Sequence, residues 1–299
     1  LSQLISISDA FSNFVDSFMV STGFMGKVED RLYGIGCALD VAGIKFCAVL
    51  IIIAFFSISP VSKERQNLER IIYIVAFFVI AIYGSMIART TSIGIVLSIL
   101  LWIFCYFFYS QKLVDVARTI KMFCISIGIL LPIVIFLYHV NDNFYTNIRF
   151  AFEGVFSLLE DGKWEVRSQT QMFSMVVWPD NLKTWLIGDG YFSSPMNDYY
   201  YIGPSYYYYM GTDVGYCRFI FYFGLLGLGA FASFFVKSTT ICSQNNPKYK
   251  IMFCFILLIN FIVWIKVSSD IFSIFALFLL IREDGVENEI NDEIKGSIE

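Results

Sequence analysis

The amino-acid sequence predicts an all-α fold: a polytopic bundle of transmembrane helices with a long extracytoplasmic loop that carries interfacial helices. Of its 299 residues, 57% are hydrophobic and only 15% are charged, with a mean hydropathy of +0.67. Soluble domains carry about 25% charged residues. Several apolar runs also approach the ~20 residues that cross a bilayer. We therefore assign residues 1–282 to a membrane domain and residues 141–215 to its outer loop.

The N-terminal stretch predicts an interfacial helix. Within residues 1–30, Leu4, Ile7 and Phe11 recur at helical spacing, so one face is apolar. The stretch is too polar to span, and one apolar face suits a helix lying in the membrane surface.

Five apolar runs predict five spanning helices, at about residues 41–58, 71–88, 92–109, 122–140 and 216–236. The fourth contains Pro132, which predicts a kink. Residues 251–281 are interrupted by "KVSSD" and are too long for one straight crossing. We predict two short helices there, with a tight turn at residues 266–270. The acidic tail at 283–299 lacks aromatic residues and is expected to be disordered and cytoplasmic.

The lysines and arginines of the connecting loops predict the orientation. Short loops rich in these residues stay in the cytoplasm. If each run crosses once, the three basic connections at 59–70, 110–121 and 237–250 share that side. Residues 141–215 then face outward, and a loop of that size on a helical scaffold is where function is expected.

Charge and cysteine content narrow the function classes. A net charge of −4 argues against nucleic acid as a partner. The seven cysteines lie mostly in apolar runs and form no CxxC pair. This favours neither a disulfide framework nor a zinc site. We expect no bound metal and no cofactor.

Two local patterns stand out in the outer segment. The stretch "VRSQTQMFSMVVW" at 166–178 predicts an amphipathic helix with Met172, Met175, Val176 and Trp178 on the membrane. The following Pro179 is expected to end it. "GDG" at 188–190 predicts a tight turn that needs glycine dihedrals.

Topology gives no reason for several basic residues on the predicted outer side, and four of them are singled out: Arg89, Arg167, Arg218 and Lys266. Arginine can fork onto a phosphate with two parallel hydrogen bonds, so these residues are candidates for binding diphosphate. A snorkelling role is the alternative for Arg89. For Arg167 the alternative is a salt bridge with Glu165 or Asp161.

Nine of the eighteen tyrosines lie between residues 191 and 216. Tyrosines gather at membrane interfaces because they combine an apolar ring with a polar hydroxyl. Their rings also stack on sugars while their hydroxyls bond to sugar oxygens. We take Tyr191, Tyr206, Tyr209 and Tyr216 as candidate glycan contacts.

Two carboxylates are candidates for a catalytic base. Asp213, in "GTDVGY", lies five residues before Arg218 at the start of the fifth run and is the first choice. Its alternative role is a helix N-cap. Asp189, between two glycines, is the second choice, with turn formation as its alternative.

The order of these features resembles the bacterial O-antigen polymerase and ligase superfamily of membrane glycosyltransferases. The resemblance rests on "GSMIARTTSIGIVLSILLW", "WLIGDGYF", "TDVGYCRFIFYFGLLGLGAF" and "KVSSDIFSIFALFLL", with the 166–178 stretch between the first two. It covers roughly residues 30–282 and is strongest toward the repeat-unit polymerases. Members usually have ten or more spans and this chain begins at Leu1, so we expect a C-terminal portion of a longer protein.

The resemblance implies a metal-independent glycosyl transfer at the outer face of the bacterial inner membrane. A growing glycan on undecaprenyl diphosphate moves to an incoming lipid-linked repeat unit, and the product is O-antigen, capsule or exopolysaccharide. By position, Arg89 and Arg167 match the family's two arginines, Arg218 is a third candidate and Lys266 fits a late basic position. A chain-length regulator is a further candidate partner.

Two alternatives to a polymerase stay open. The ligase branch needs an outer-loop histidine, whereas the single histidine, His139, lies at the end of the fourth run, which favours a polymerase. A transporter or flippase of lipid-linked sugars is the alternative from another class. Transporters usually show paired repeats and polar residues near the bilayer midplane.

Overall fold

The computed structural model describes residues 39–60, 64–108, 113–195 and 208–280. Their secondary structure is helical, apart from one isolated antiparallel bridge between Ser193 and Tyr208. The all-helical fold class is therefore confirmed. The predicted N-terminal interfacial helix and the acidic tail lie outside the described residues.

Eleven α-helices are found in these residues. In chain order they are α1 (Leu39–Ile58), α2 (Gln66–Ile87), α3 (Thr91–Phe108), α4 (Leu113–Val140), α5 (Asp142–Ala151), α6 (Glu153–Asp161), α7 (Arg167–Ser174), α8 (Leu182–Ile187), α9 (Gly215–Asn245), α10 (Lys250–Val263) and α11 (Phe272–Leu279). Short 3₁₀ turns occupy Tyr209–Gly211 and Pro247–Tyr249.

Five of these helices, α1, α2, α3, α4 and α9, are long and apolar enough to cross a membrane. They coincide with the five predicted apolar runs, so the sequence located the candidate spans correctly. The side of the membrane on which residues 141–215 lie stays a prediction. The chain divides into two compact units, Leu1–Thr170 and Gln171–Glu299.

In the first unit, α1 forms the centre and packs against α2 and α3. Its side chains at Cys47, Leu50 and Ile51 are fully buried. A Cβ added to Gly94 of α3 would lie 2.4 Å from the Cα of Cys47. The missing side chain of this glycine therefore lets the two helices approach closely.

An ion pair between a buried arginine and a partly exposed aspartate joins helices at the predicted cytoplasmic end of this unit. The Arg70 side chain is fully buried, donates from Nε to the Ser57 carbonyl at 3.2 Å and pairs with Asp115. Thr119 Oγ1 donates to the same carbonyl at 2.9 Å. The arginine and these partners thus tie the end of α1 to the first turns of α2 and α4.

The predicted basic loops are shorter than expected. Helix α2 begins five residues before the apolar run at 71–88, so Arg70 is a helical core residue and its assignment to a loop was wrong. Helix α4 likewise begins at Leu113, which places Arg118 and Lys121 on its first turns. Arginine, lysine and glutamine are good helix formers, and the helices extend through them.

The second unit contains a broken helix. Gly224 in α9 has φ 65° and ψ −174°, a conformation that only glycine adopts readily. A Cβ at this position would lie 2.3 Å from the backbone of Leu186, so α8 packs directly against the break. The predicted span at 216–236 is therefore present but interrupted at Gly224, a detail that the sequence analysis did not predict.

The predicted hairpin at 251–281 is confirmed as two short helices, α10 and α11, joined by a turn. Trp264 in that turn is fully buried, and its carbonyl accepts from the Tyr216 N–H at 2.9 Å. Its ring contacts an aromatic cluster: Tyr216, Phe219, Phe231, Phe235 and Phe261. The turn therefore holds the first turns of α9.

Candidate functional site

The described part of the predicted outer segment, residues 141–195 and 208–215, holds four helices, α5 to α8, where the sequence predicted at least one. The predicted amphipathic helix is present as α7 but ends at Ser174, four residues early. Val176 and Val177 follow, and β-branched residues lower helix propensity. The helix therefore ends before Pro179 can act on it.

Arg89 lies in the turn between α2 and α3 and is mostly buried, with 16% of its side chain exposed. Nε donates to the Phe150 carbonyl at 3.0 Å, and Nη1 donates to Ser168 Oγ at 3.2 Å. The guanidinium also lies 4.1 Å from the Phe150 ring centre. These contacts join the α2–α3 turn to α5 and to the start of α7, and they do not match a snorkelling arginine.

Glu153 gives Arg89 a counter-ion that the sequence analysis missed. Its Oε2 lies 2.8 Å from Arg89 Nη1. The contact is ionic, since its angles do not meet those of a hydrogen bond. In the sequence, the one feature that could have indicated this counter-ion is the position of Glu153 in the first turn of α6. A phosphate that binds Arg89 has to compete with this carboxylate.

Arg167 is the first residue of α7 and is exposed. Among the residues that the structure describes, its guanidinium makes no hydrogen bond or ion pair, and the alternative salt bridge with Glu165 or Asp161 does not form. Its neighbour Ser168 contacts Arg89. The structure thus brings the start of α7 to Arg89, while a cavity shared by both guanidinium groups stays a prediction.

An exposed ion pair braces α5 against α6 beside this site. Arg149 donates to both carboxylate oxygens of Glu160, at 2.7 and 2.6 Å. These hydrogen bonds lower the pKa of Glu160 and raise the pKa of Arg149. Among the carboxylates of the predicted outer segment, Glu160 is therefore already paired with an arginine.

In the second unit, Arg218 and Asp213, two of the candidate site residues, form an ion pair. Arg218 Nη1 donates to Asp213 Oδ1 at 3.1 Å, and Nη2 donates to the Phe192 carbonyl at 3.1 Å. The guanidinium lies 3.8 Å from the Phe192 ring centre and 4.9 Å from that of Tyr208. The N-cap of α9 is Val214, so the Asp213 carboxylate serves Arg218 and not the helix end.

Asp189 lies in the predicted glycine turn, where Gly188 and Gly190 have φ 74° and 80°. Its Oδ1 accepts from Lys183 Nζ at 3.1 Å and Thr184 Oγ1 at 2.7 Å, and its Oδ2 accepts from Tyr209 at 3.3 Å. Three donors already bind this carboxylate, which gives it a structural role in the turn.

The glycine turn also completes the broken helix. The backbone N–H of Asp189 donates to the Phe221 carbonyl at 2.6 Å, and that of Gly190 donates to the Tyr222 carbonyl at 3.0 Å. In a continuous helix these carbonyls would accept from residues one turn later. The turn therefore supplies the donors that the break at Gly224 removes.

The candidate glycan-binding tyrosines differ in placement. Tyr209 is buried, with its ring centre 5.4 Å from that of Tyr191. Tyr216 donates its hydroxyl to the Phe261 carbonyl of the hairpin at 3.0 Å. Tyr206 lies outside the described residues. Tyr191 and Tyr209 are thus brought together beside the glycine turn, while Tyr216 is directed toward α10.

Lys266 lies in the turn after α10, where its backbone N–H donates to the Val263 carbonyl at 2.8 Å. Within the described ranges, no group of three or more histidine, cysteine or acidic side chains is arranged to hold a metal ion. No protein-family model matches this chain, and no match was found among curated proteins or among solved structures.

Proposed function

We propose that the protein is a membrane glycosyltransferase that polymerises undecaprenyl-diphosphate-linked repeat units into surface polysaccharide. The observation that supports this most is the Asp213–Arg218 pair at the start of α9, a helix apolar enough to cross a membrane. A cation for the diphosphate and a carboxylate for the acceptor hydroxyl then lie together beside the helix. The Phe192 and Tyr208 rings flank the guanidinium.

The proposed reaction is a single displacement. The acceptor hydroxyl oxygen attacks the anomeric carbon of the lipid-linked glycan, and the bond from that carbon to the diphosphate oxygen breaks. The bonding electron pair leaves on the diphosphate, where Arg218 stabilises the developing charge. Asp213 takes the hydroxyl proton as general base.

In the resting structure these two residues hold each other, with 12% of the Arg218 side chain and 37% of the Asp213 side chain exposed. A carboxylate bound to a guanidinium is a weak base. A diphosphate carries more negative charge than one carboxylate and forms bidentate bonds with arginine. Substrate binding would therefore draw Arg218 away from Asp213 and free the base only when the donor is present.

In the first unit, Arg167 is proposed to bind diphosphate. It is exposed and stands at the first turn of α7, where the free backbone N–H groups also attract anions. Arg89 is proposed to act beside it, with Glu153 as the counter-ion that the substrate displaces. The resemblance assigns both arginines to diphosphate binding, and the contact between Arg89 and Ser168 is consistent with it.

A deletion strain tests the proposal. We expect it to lose long polysaccharide while keeping lipid cores that carry a single repeat, and a plasmid copy should restore the full length distribution. Loss of the single-repeat product as well would contradict polymerisation and indicate a ligase or a transporter.

The break in α9 favours a transporter as the second candidate. Transporters often bind substrate at discontinuous helices near the bilayer midplane. Here the break follows Phe223, near the start of a 31-residue helix rather than at its middle. Purified protein in liposomes with a lipid-diphosphate repeat unit distinguishes the two: a polymerase lengthens the glycan, whereas a transporter only moves the lipid between leaflets.

A further inference from the structure

Helix α8 and the residues before it expose a group of large apolar side chains. The exposed fractions are 49% for Trp178, 75% for Leu182, 43% for Leu186 and 57% for Ile187. Leu182 and Leu186 are one turn apart and share one side of the helix, and Ile187 is the last residue of the helix. Contiguous apolar surface of this kind marks an interaction site.

Polar groups of the same segment find partners within it. Asn181 Oδ1 caps the helix by accepting from the Thr184 N–H at 2.9 Å. Trp185 Nε1 donates to the Pro179 carbonyl at 2.8 Å, and Lys183 pairs with the Asp189 carboxylate. The apolar side can therefore leave water without stranding these hydrogen-bonding groups.

The position of α8 on α9 identifies what covers this side. The backbone at Leu186 touches Gly224, the residue that opens the long apolar segment of α9. The next two residues of that segment, Leu225 and Leu226, are 47% and 66% exposed. The exposed side of α8 therefore adjoins the surface of a helix that is suited to face lipid.

We infer that residues 178–187 insert their apolar side into the bilayer interface next to α9. The occupant is the lipid itself, at the boundary between headgroups and acyl chains. The stacked rings of Trp178 and Trp185, with centres 5.7 Å apart, suit that boundary because indoles prefer it. The insertion holds the 188–190 turn at membrane level. This inference does not depend on the proposed reaction.

Spin labels measure the insertion directly. In a cysteine-free background, Leu182→Cys and Leu186→Cys each receive a nitroxide, with the exposed polar position Asp180→Cys as the matched control. The full chain is placed in nanodiscs, and collisions with oxygen are compared with collisions with a water-soluble nickel chelate. Monodisperse size exclusion first confirms that each variant folds.

We expect labels at 182 and 186 to favour oxygen several-fold over the nickel chelate, and the label at 180 to favour the chelate. Equal chelate access at 180 and 182 would place the helix in water and overturn the inference. Low access to both reagents at 182 would also overturn it, because protein, such as a second copy of the chain, would then cover this side.

Discussion

Asp213 is the residue on which the proposed chemistry depends most. Asp213→Asn keeps an oxygen that can accept from Arg218, and the Asp213 side chain does not cap the helix, so the fold should survive the change. We expect the polymerisation rate to fall by roughly 10²–10⁴-fold, the usual contribution of a general base. Polysaccharide length on gels and protein level by immunoblot check this. Asp180→Asn is the control, and normal-length polymer from Asp213→Asn would show that the base lies elsewhere.

Asp189 should behave as a structural residue. Asp189→Ala removes a charged acceptor that Lys183, Thr184 and Tyr209 share. Hydrogen bonds to a charged group contribute about 2 kcal/mol, so the thermal midpoint of the solubilised protein should drop clearly. Tyr209→Phe removes one of the three donors and should cost less. An unchanged midpoint together with lost activity would instead make Asp189 the candidate base.

Substitutions at the Arg89–Glu153 contact can distinguish a role in diphosphate binding from a role in stabilising the fold. Arg89→Lys keeps the charge but lacks the planar fork, so we expect loss of long polymer at normal protein level. Glu153→Gln removes the competing charge, and polymer should persist if Arg89 serves the diphosphate. Polymer lost in Glu153→Gln, together with a lowered thermal midpoint, would mean that the pair only supports the fold.

At the scale of elements, the break in α9 makes Gly224 far less replaceable than its neighbours. Gly224→Ala forces an L side chain into φ 65° and into the Leu186 backbone, which should destabilise the protein by more than about 1 kcal/mol. Gly229 of the same helix has open space around it, so Gly229→Ala should be neutral or stabilising. Thermal unfolding monitored by fluorescence compares the two, and equal midpoints would argue against the break.

The sequence predicted the elements better than their details. Apolar run length located five candidate spans, and the polar interruption located the hairpin turn. The break at Gly224 could not be predicted, since "FGLLGLGAF" holds three glycines and only packing by α8 selects the first. The boundary at Arg70 was missed because a buried arginine and an exposed one look alike until the partner Asp115 is known.

For the candidate site, too, contacts between distant segments could not be predicted from the sequence. Asp213 and Arg218 are close in sequence, so the sequence placed both at the start of α9, but it did not predict their ion pair, because Asp213 lies before the helix and five residues is not a helical contact spacing. Arg89 and Glu153 come from distant segments, and nothing local in the sequence pairs them. The donors around Asp189 were missed for a related reason: Tyr209 reaches the carboxylate only because the chain returns beside the glycine turn.

For the whole molecule, the orientation is the main prediction. In a cysteine-free background, Arg65→Cys should react with a membrane-impermeant maleimide only after the cells are opened, because lysine and arginine favour the cytoplasmic side. Lys163→Cys, between α6 and α7, should react in intact cells. Labelling at 65 with protection at 163 would reverse the topology and place the proposed site on the wrong face for an outer-leaflet donor.

The broken helix also bears on how the protein meets membranes of different thickness. An unbroken α9 of 31 residues would be about 46 Å long, well beyond the ~30 Å hydrocarbon layer. The segment after Gly224 alone is about 31 Å long, which matches that layer. A thinner or thicker bilayer can then be met by tilting this segment. The short segment that carries Arg218 stays fixed to the glycine turn and the hairpin. A difference between helix length and bilayer thickness therefore need not disturb the Asp213–Arg218 pair.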